Sequence, residues 1–184
     1  MPHLVSRAVA ALFDGEPFGG EGSPSVDTAR EFRVMGDRGH ESGVFVDDGG
    51  VFHHAEWFPG REPSVTWWSN SMHAVEVSLA LSARGIQLAM APITWRHPMP
   101  VGVLPPGFEL SRSGATMTVS WDGGGHWVEA IGVDFAGSSI AALARWLPYS
   151  VEEVVDSIEK PPGAARLVPF RQFQQISLDE ALGI

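Results

Sequence analysis

The residues with the most chemistry in them are three side chains within four positions, His53, His54 and Glu56. In an extended segment His54 and Glu56 point to one face and His53 to the other. Two ligands on one strand can form a metal site if His40 or His126 joins them. Paired histidines are also ordinary on half-exposed strands, and no cysteine supplies a thiolate. No metal-ligand set is therefore assigned. Glu109, Asp122, Glu129 and Asp134 are the candidates for a carboxylate pair in acid–base work. Spacing alone brings no two of them together. A Gly-x-Ser-x-Gly elbow is absent, as is any cysteine nucleophile. The acid–glycine runs Asp47-Asp48-Gly49-Gly50 and Asp122-Gly123-Gly124-Gly125 lack the further oxygen ligands and distal Glu of a calcium loop. Nor do they follow the glycine spacing of a dinucleotide or phosphate loop, and they read as turns. No catalytic residue and no cofactor is assigned.

Tryptophan is the unusual residue. Trp57, Trp67, Trp68, Trp95, Trp121, Trp127 and Trp146 supply much of the core. Trp67 and Trp68 are adjacent, so in a strand they face opposite ways. One of them is a candidate surface anchor, since exposed aromatics mark interfaces.

These residues have to be positioned by hairpins. Ala115, Met117, Val119 and Trp121 alternate with Thr116, Thr118 and Ser120, the period of a half-buried strand. The glycine turn follows, and His126 to Phe135 resumes as a second strand. Upstream, Glu31 to Gly36, Gly43 to Val46, Val51 to Phe58 and Ser64 to Trp68 read as strands, with a hairpin turn at Asp47–Gly50. Ser69 to Arg84 carries two periods. Val75, Val77, Leu79 and Leu81 alternate as in a strand, while Met72, Val75, Glu76, Leu79 and Ala83 follow a helical stripe. Alanine and leucine propensity favours helix, capped by Ser69, Asn70 or Ser71 and closed by Gly85. Val101 to Gly107 is a proline-bounded crossing. Ile140, Leu143, Ala144 and Leu147 make a helical stripe that Pro148 interrupts. Ser150-Val151-Glu152-Glu153 is a capping box, with Tyr149 set to staple onto Val154. Ser177-Leu178-Asp179-Glu180 is a second such box. The expected fold is α+β: an antiparallel sheet of successive hairpins, with a mid-chain helix and a C-terminal helix pair packed on it.

The chain has 184 residues, 44% of them hydrophobic, enough for one domain with a real core. The expected organisation is a short helix and flexible linker over 1–28, one α+β domain over 29–160 and a tail over 161–184. No apolar run reaches the ~18 residues that cross a bilayer, and no signal peptide is recognised. The absence of cysteine fits the cytoplasm. The 22 acidic and 12 basic residues leave a net charge of −10. That field repels nucleic acid and anionic membranes and suits a basic protein partner.

The order of elements carries a family resemblance over roughly Phe32 to Ile158. Hairpins lead into an Ala-rich helix and a proline-rich crossing. Pro106-Gly107-Phe108-Glu109-Leu110 follows, then a hairpin and a helix pair ending in Ser150-Val151-Glu152-Glu153-Val154-Val155-Asp156-Ser157. This resembles the actinobacterial immunity factors, or antitoxins, that accompany necrotizing NAD-glycohydrolase toxins of the tuberculosis type. The resemblance implies a small cytosolic inhibitor that occludes the toxin's NAD site by direct binding. It transfers no individual inhibitory residue, and neither the linker near Asp14 nor the tail after Pro161 belongs to it. The expected contact surface is acidic and aromatic, on the early hairpins: Asp47, Asp48, Glu56, Trp57, Glu62, Trp67 and Trp68. The expected partner is a cognate toxin with a basic active-site cleft. Two other readings stand beside it: a ligand-binding or cyclase-like enzyme with a Trp/His-lined pocket, and a structural protein of a phage or secretion system.

Overall fold

A computed structural model of the chain describes residues 3–14, 24–35, 40–89, 94–96, 104–131, 140, 143–158 and 174–176. Its centre is an eight-stranded antiparallel sheet built from two meanders. The first contains β1 (Val26–Asp27), β2 (Glu31–Met35), β3 (Glu41–Val46), β4 (Phe52–Trp57) and β5 (Ser64–Ser69). After β5 come α2 (Met72–Ala89) and the short β6 (Thr94–Arg96). The second meander is β7 (Phe108–Ser113), β8 (Thr116–Trp121) and β9 (His126–Ile131). It closes on the first through antiparallel pairing of β9 with β5, giving the order β1-β2-β3-β4-β5-β9-β8-β7. β6 pairs with β10 (Gln174–Ile176) in a separate two-stranded ribbon. The chain is thus α+β, a sheet of successive hairpins with helices packed on it.

Alternation in the strands sorts side chains onto two unlike faces. Phe32, Val34, Val44, Val119, Val128 and Ala130 point inward and are buried. Against them lie α2, the N-terminal α1 (Arg7–Ala11), α3 (Val151–Ile158) and the helical residues just before Pro148. Phe32, Val44, Val75, Val119 and Val154 are almost wholly removed from water. Each such side chain contributes about 1.5–3 kcal/mol.

The double period of the α2 segment has a physical cause. The helix touches β4 and β5 on one side and α1 and α3 on others. Ala74, Val75, Val77, Leu79, Ala80 and Ala83 are all buried, so the apolar surface is wider than one stripe and imitates strand alternation. Of the three candidate caps, Ser71 is the one whose hydroxyl accepts the Ala74 N–H, at 3.3 Å. Gly85 does not end the helix, which runs on to Ala89. At α3 the capping box is complete. Ser150 Oγ accepts the Glu153 N–H at 3.2 Å, and Glu153 Oε2 accepts the Ser150 N–H at 2.9 Å.

Segments upstream of Ala29 join the same core. Val5, Val9, Leu12 and Phe13 are buried, and the Leu4 N–H donates to the Thr28 carbonyl at 2.7 Å. Most of the flexible linker expected over Asp14 to Asp27 (15–23), the box at 177–180 and nearly all of 161–184 lie outside the described residues. β7, which follows the proline-bounded crossing, is a strand not expected from the sequence. It is an edge strand, mostly exposed, and shows little alternation in hydrophobicity.

Candidate surface on the open sheet face

The outward face of the sheet carries a row of side chains that runs across six strand pairings. Glu31 is opposite Phe45, Phe45 opposite His53, and His53 opposite Trp68. Trp68 is opposite Glu129, Glu129 opposite Thr118, and Thr118 opposite Ser111. None of these side chains belongs to the apolar core cluster. Met35, Val65 and Ile131 stand exposed on the same face.

Three local constructions hold the row. At the β3–β4 turn Gly50 takes φ +80°, a left-handed position that glycine fills without steric cost. Asp47 Oδ1 accepts the N–H groups of Gly49 and Val51, both at 2.9 Å, and Oδ2 lies 2.9 Å from His53 Nε2. The His53 hydrogen bond, then those backbone donors, holds the Asp47 carboxyl below the ordinary aspartate range. His53 is thereby fixed flat against Phe45, with ring centroids 4.9 Å apart.

The second construction is a bulge. β4 pairs His54 with Trp67 and Ala55 with Val65, leaving Thr66 as the extra residue. Trp67 therefore points inward and stacks on His54, while Val65 and Trp68 both point outward. His54 is half-buried between the strands, and burial lowers its pKa to about 4. The Thr66 hydroxyl donates to the His54 carbonyl at 3.3 Å, leaving its lone pair for the His54 Nδ1–H at 2.7 Å. Nε2 is then the acceptor that faces Ser42 Oγ at 3.4 Å. His54 is a neutral core histidine satisfied by hydroxyls.

Third, Arg33 lies across the rim of the row. Its guanidinium carbon is 4.4 Å from the centre of the Trp57 ring. It donates to Glu31 at 2.6 and 2.9 Å and to Glu41 at 3.1 Å. Burial opposes the Arg33 charge, but the two carboxylates outweigh it and raise its pKa. A hydrogen bond from Ser25, with Arg33, keeps Glu41 below the usual glutamate range against the cost of burial.

The residues expected at a contact surface are thus distributed. Trp57 and Trp68 share the open face. Asp47 sits at its margin, spent on the turn and on His53. Asp48 is fully in solvent and pairs with Arg30 at 2.8 Å. Glu62 is exposed in the β4–β5 connection. Glu56 is opposite Ser42 on the helix-bearing side, 3.7 Å from His40, and Trp67 packs inward against the core. Phe45, His53 and Glu129 complete the row and were not grouped by the sequence reading. Phe45 and His53 meet within the β3–β4 hairpin, but only the nonlocal pairing of β5 with β9 brings Glu129 to them. Of the carboxylates considered for acid–base work, Glu109 and Asp122 are exposed on the second meander, and Asp134 is outside the described residues. Among the described residues no three His, Asp or Glu side chains converge as a metal site, and no helix is long and apolar enough to cross a membrane.

No protein-family profile matches the sequence, and no curated protein matches it. The fold is similar to a solved structure, Rv3902c from M. tuberculosis, with a TM-score of 0.62 and 16% sequence identity. The match covers 87% of this chain and 91% of that one. At that identity the likeness is one of fold.

Proposed function

We propose that the chain is an immunity protein, an acidic cytoplasmic inhibitor that binds a cognate toxin enzyme, an NAD glycohydrolase, and occludes its active site. The observation that carries this reading is the contrast between the two faces of the sheet. One is covered by helices. The other presents Trp57, Trp68 and Phe45 among Glu31, Glu41 and Glu129 without joining the core. Aromatics among carboxylates on a rigid sheet suit capture of a basic protein surface better than turnover of a small substrate. The net charge of −10 steers such a partner inward over several ångströms. The order of elements, which resembles that of the actinobacterial immunity factors, supports a toxin of this class as the partner. A mycobacterial protein of similar fold is compatible with that reading.

The test is stoichiometric inhibition. Purified chain is titrated into the toxin encoded beside it while NAD hydrolysis is followed. Activity should fall to nothing near one equivalent, in a complex that survives gel filtration. Unimpaired hydrolysis in the presence of excess chain would remove this reading.

A further inference from the structure

The open face already contains one bound guanidinium, its own. Arg33 lies over the Trp57 indole with Glu31 and Glu41 on either side. A flat delocalised cation rests on a ring face while its in-plane N–H groups reach carboxylates. An indole and a carboxylate recur together further along the sheet, and among the described residues no cation lies with them. Trp68 Nε1 donates to Glu129 Oε2 at 2.8 Å, and the Thr118 hydroxyl donates to Oε1 at 3.0 Å. Both donors are neutral. Each Glu129 oxygen keeps a further lone-pair direction, and no cation pairs with Glu129 among the described residues. The two bonds also fix the indole and carboxylate relative to each other, so little ordering is left to be done on binding.

We propose that Trp68 and Glu129 form a receptor for an arginine side chain presented by a basic protein partner. The guanidinium stacks on the Trp68 ring and donates to Glu129, as Arg33 does intramolecularly on Trp57, Glu31 and Glu41. Arginine is specified over lysine because only a planar fork can stack and donate in its own plane at once. Exposed Val65, on the strand of Trp68, and exposed Ile131, two residues from Glu129 on the same face, supply apolar contact beside the charge. The inference rests on the immunity reading only for the identity of the partner.

Two arms separate this inference from that reading. In the first, the indole N–H signals of the isotope-labelled full chain are followed by NMR during titration with N-acetyl-arginine amide, then with its neutral isostere N-acetyl-citrulline amide. The Trp68 signal is identified by its loss in Trp68→Phe. It should shift saturably with the arginine compound alone and move far less in Glu129→Gln, which keeps an acceptor for the indole N–H. Equal response to citrulline, or none to either, overturns the receptor without the aid of any variant. In the second arm, the adjacent-gene toxin is bound to wild type and to Glu129→Gln. A loss of roughly tenfold or more in affinity, with melting unchanged, supports the receptor. Equal binding of both proteins overturns it and leaves the immunity reading intact. Arginine binding without toxin binding upholds the receptor and overturns the immunity reading.

Discussion

The imidazole of His54 lies parallel to the indole of Trp67, ring centroids 5.1 Å apart and planes inclined by 11°. Between β3, β4 and β5 it is held neutral, with its pKa lowered to about 4 by burial. In the unfolded chain it titrates near the usual ~6.5. Its folded pKa is the lower one, so the folded state binds fewer protons. Stability is complete above the unfolded pKa and falls as pH drops toward 4. Between pH 7.5 and pH 5 the loss from this residue is about 2 kcal/mol. Urea unfolding at the two pH values should show it in wild type and show a smaller loss in His54→Gln. Equal pH slopes in the two proteins would mean that His54 is not buried neutral.

At Gly43 the backbones of β2 and β3 approach closely. A Cβ built there lies 2.1 Å from the Phe32 carbonyl oxygen and 2.8 Å from the Arg33 Cα. Both are backbone atoms of β2, which cannot swing aside as a side chain would. Gly43→Ala should cost about 2 kcal/mol or more and loosen the seat of Arg33 on Trp57. A melting temperature equal to wild type would show that β2 and β3 can separate without penalty.

At α3 the two reciprocal bonds between Ser150 and Glu153 separate local from tertiary stabilisation. Ser150→Ala leaves the Glu153 N–H without its acceptor and should cost about 1 kcal/mol. Val154 is completely buried, and Val154→Ala should cost more, roughly 1–3 kcal/mol. Denaturant midpoints of the two variants test the ranking. Reversal of it would mean that the helix is held by its cap rather than by its packing.

The residues that were legible in the sequence are those whose neighbours in space are neighbours in the chain. The hairpin turns, the Ser150–Glu153 box and the alternation of Met117, Val119 and Trp121 all depend on contacts within a few positions. That one of Trp67 and Trp68 faces outward was legible for the same reason. Which of them does so was not, because the Thr66 bulge resets the alternation between Val65 and Trp67. The row from Phe45 through His53 and Trp68 to Glu129 was equally hidden. It requires β5 to pair with β9 across 61 positions, and no local period records that choice. The short N-terminal helix is legible in the sequence, but its place in the core is not, because the glycine- and proline-rich stretch after it reads as a tether, whereas Val9 and Phe13 reach the core from the other side of that stretch.

Asp47 and Asp48 stand side by side in sequence and should separate by experiment. Asp47 accepts from Gly49 and Val51 and meets His53, so its carboxylate is consumed in holding the turn. Asp48 is 96% exposed, and its ion pair with Arg30 is itself open to water. Such pairs contribute little to stability. Asp47→Asn should therefore lower the melting temperature, and Asp48→Asn should leave it unchanged. Association is governed differently, since an exposed charge at a projecting turn acts through the field that brings partners together. If the immunity reading holds, Asp48→Asn should slow association with the adjacent-gene toxin and flatten its dependence on salt. Dissociation should stay as it was, because a fully solvated carboxylate has no packed contact to lose. Stopped-flow association at low and high ionic strength measures both quantities. An unchanged on-rate and salt slope, with wild type binding the toxin, would place the β3–β4 turn outside the steering surface and leave the open sheet face to account for recognition.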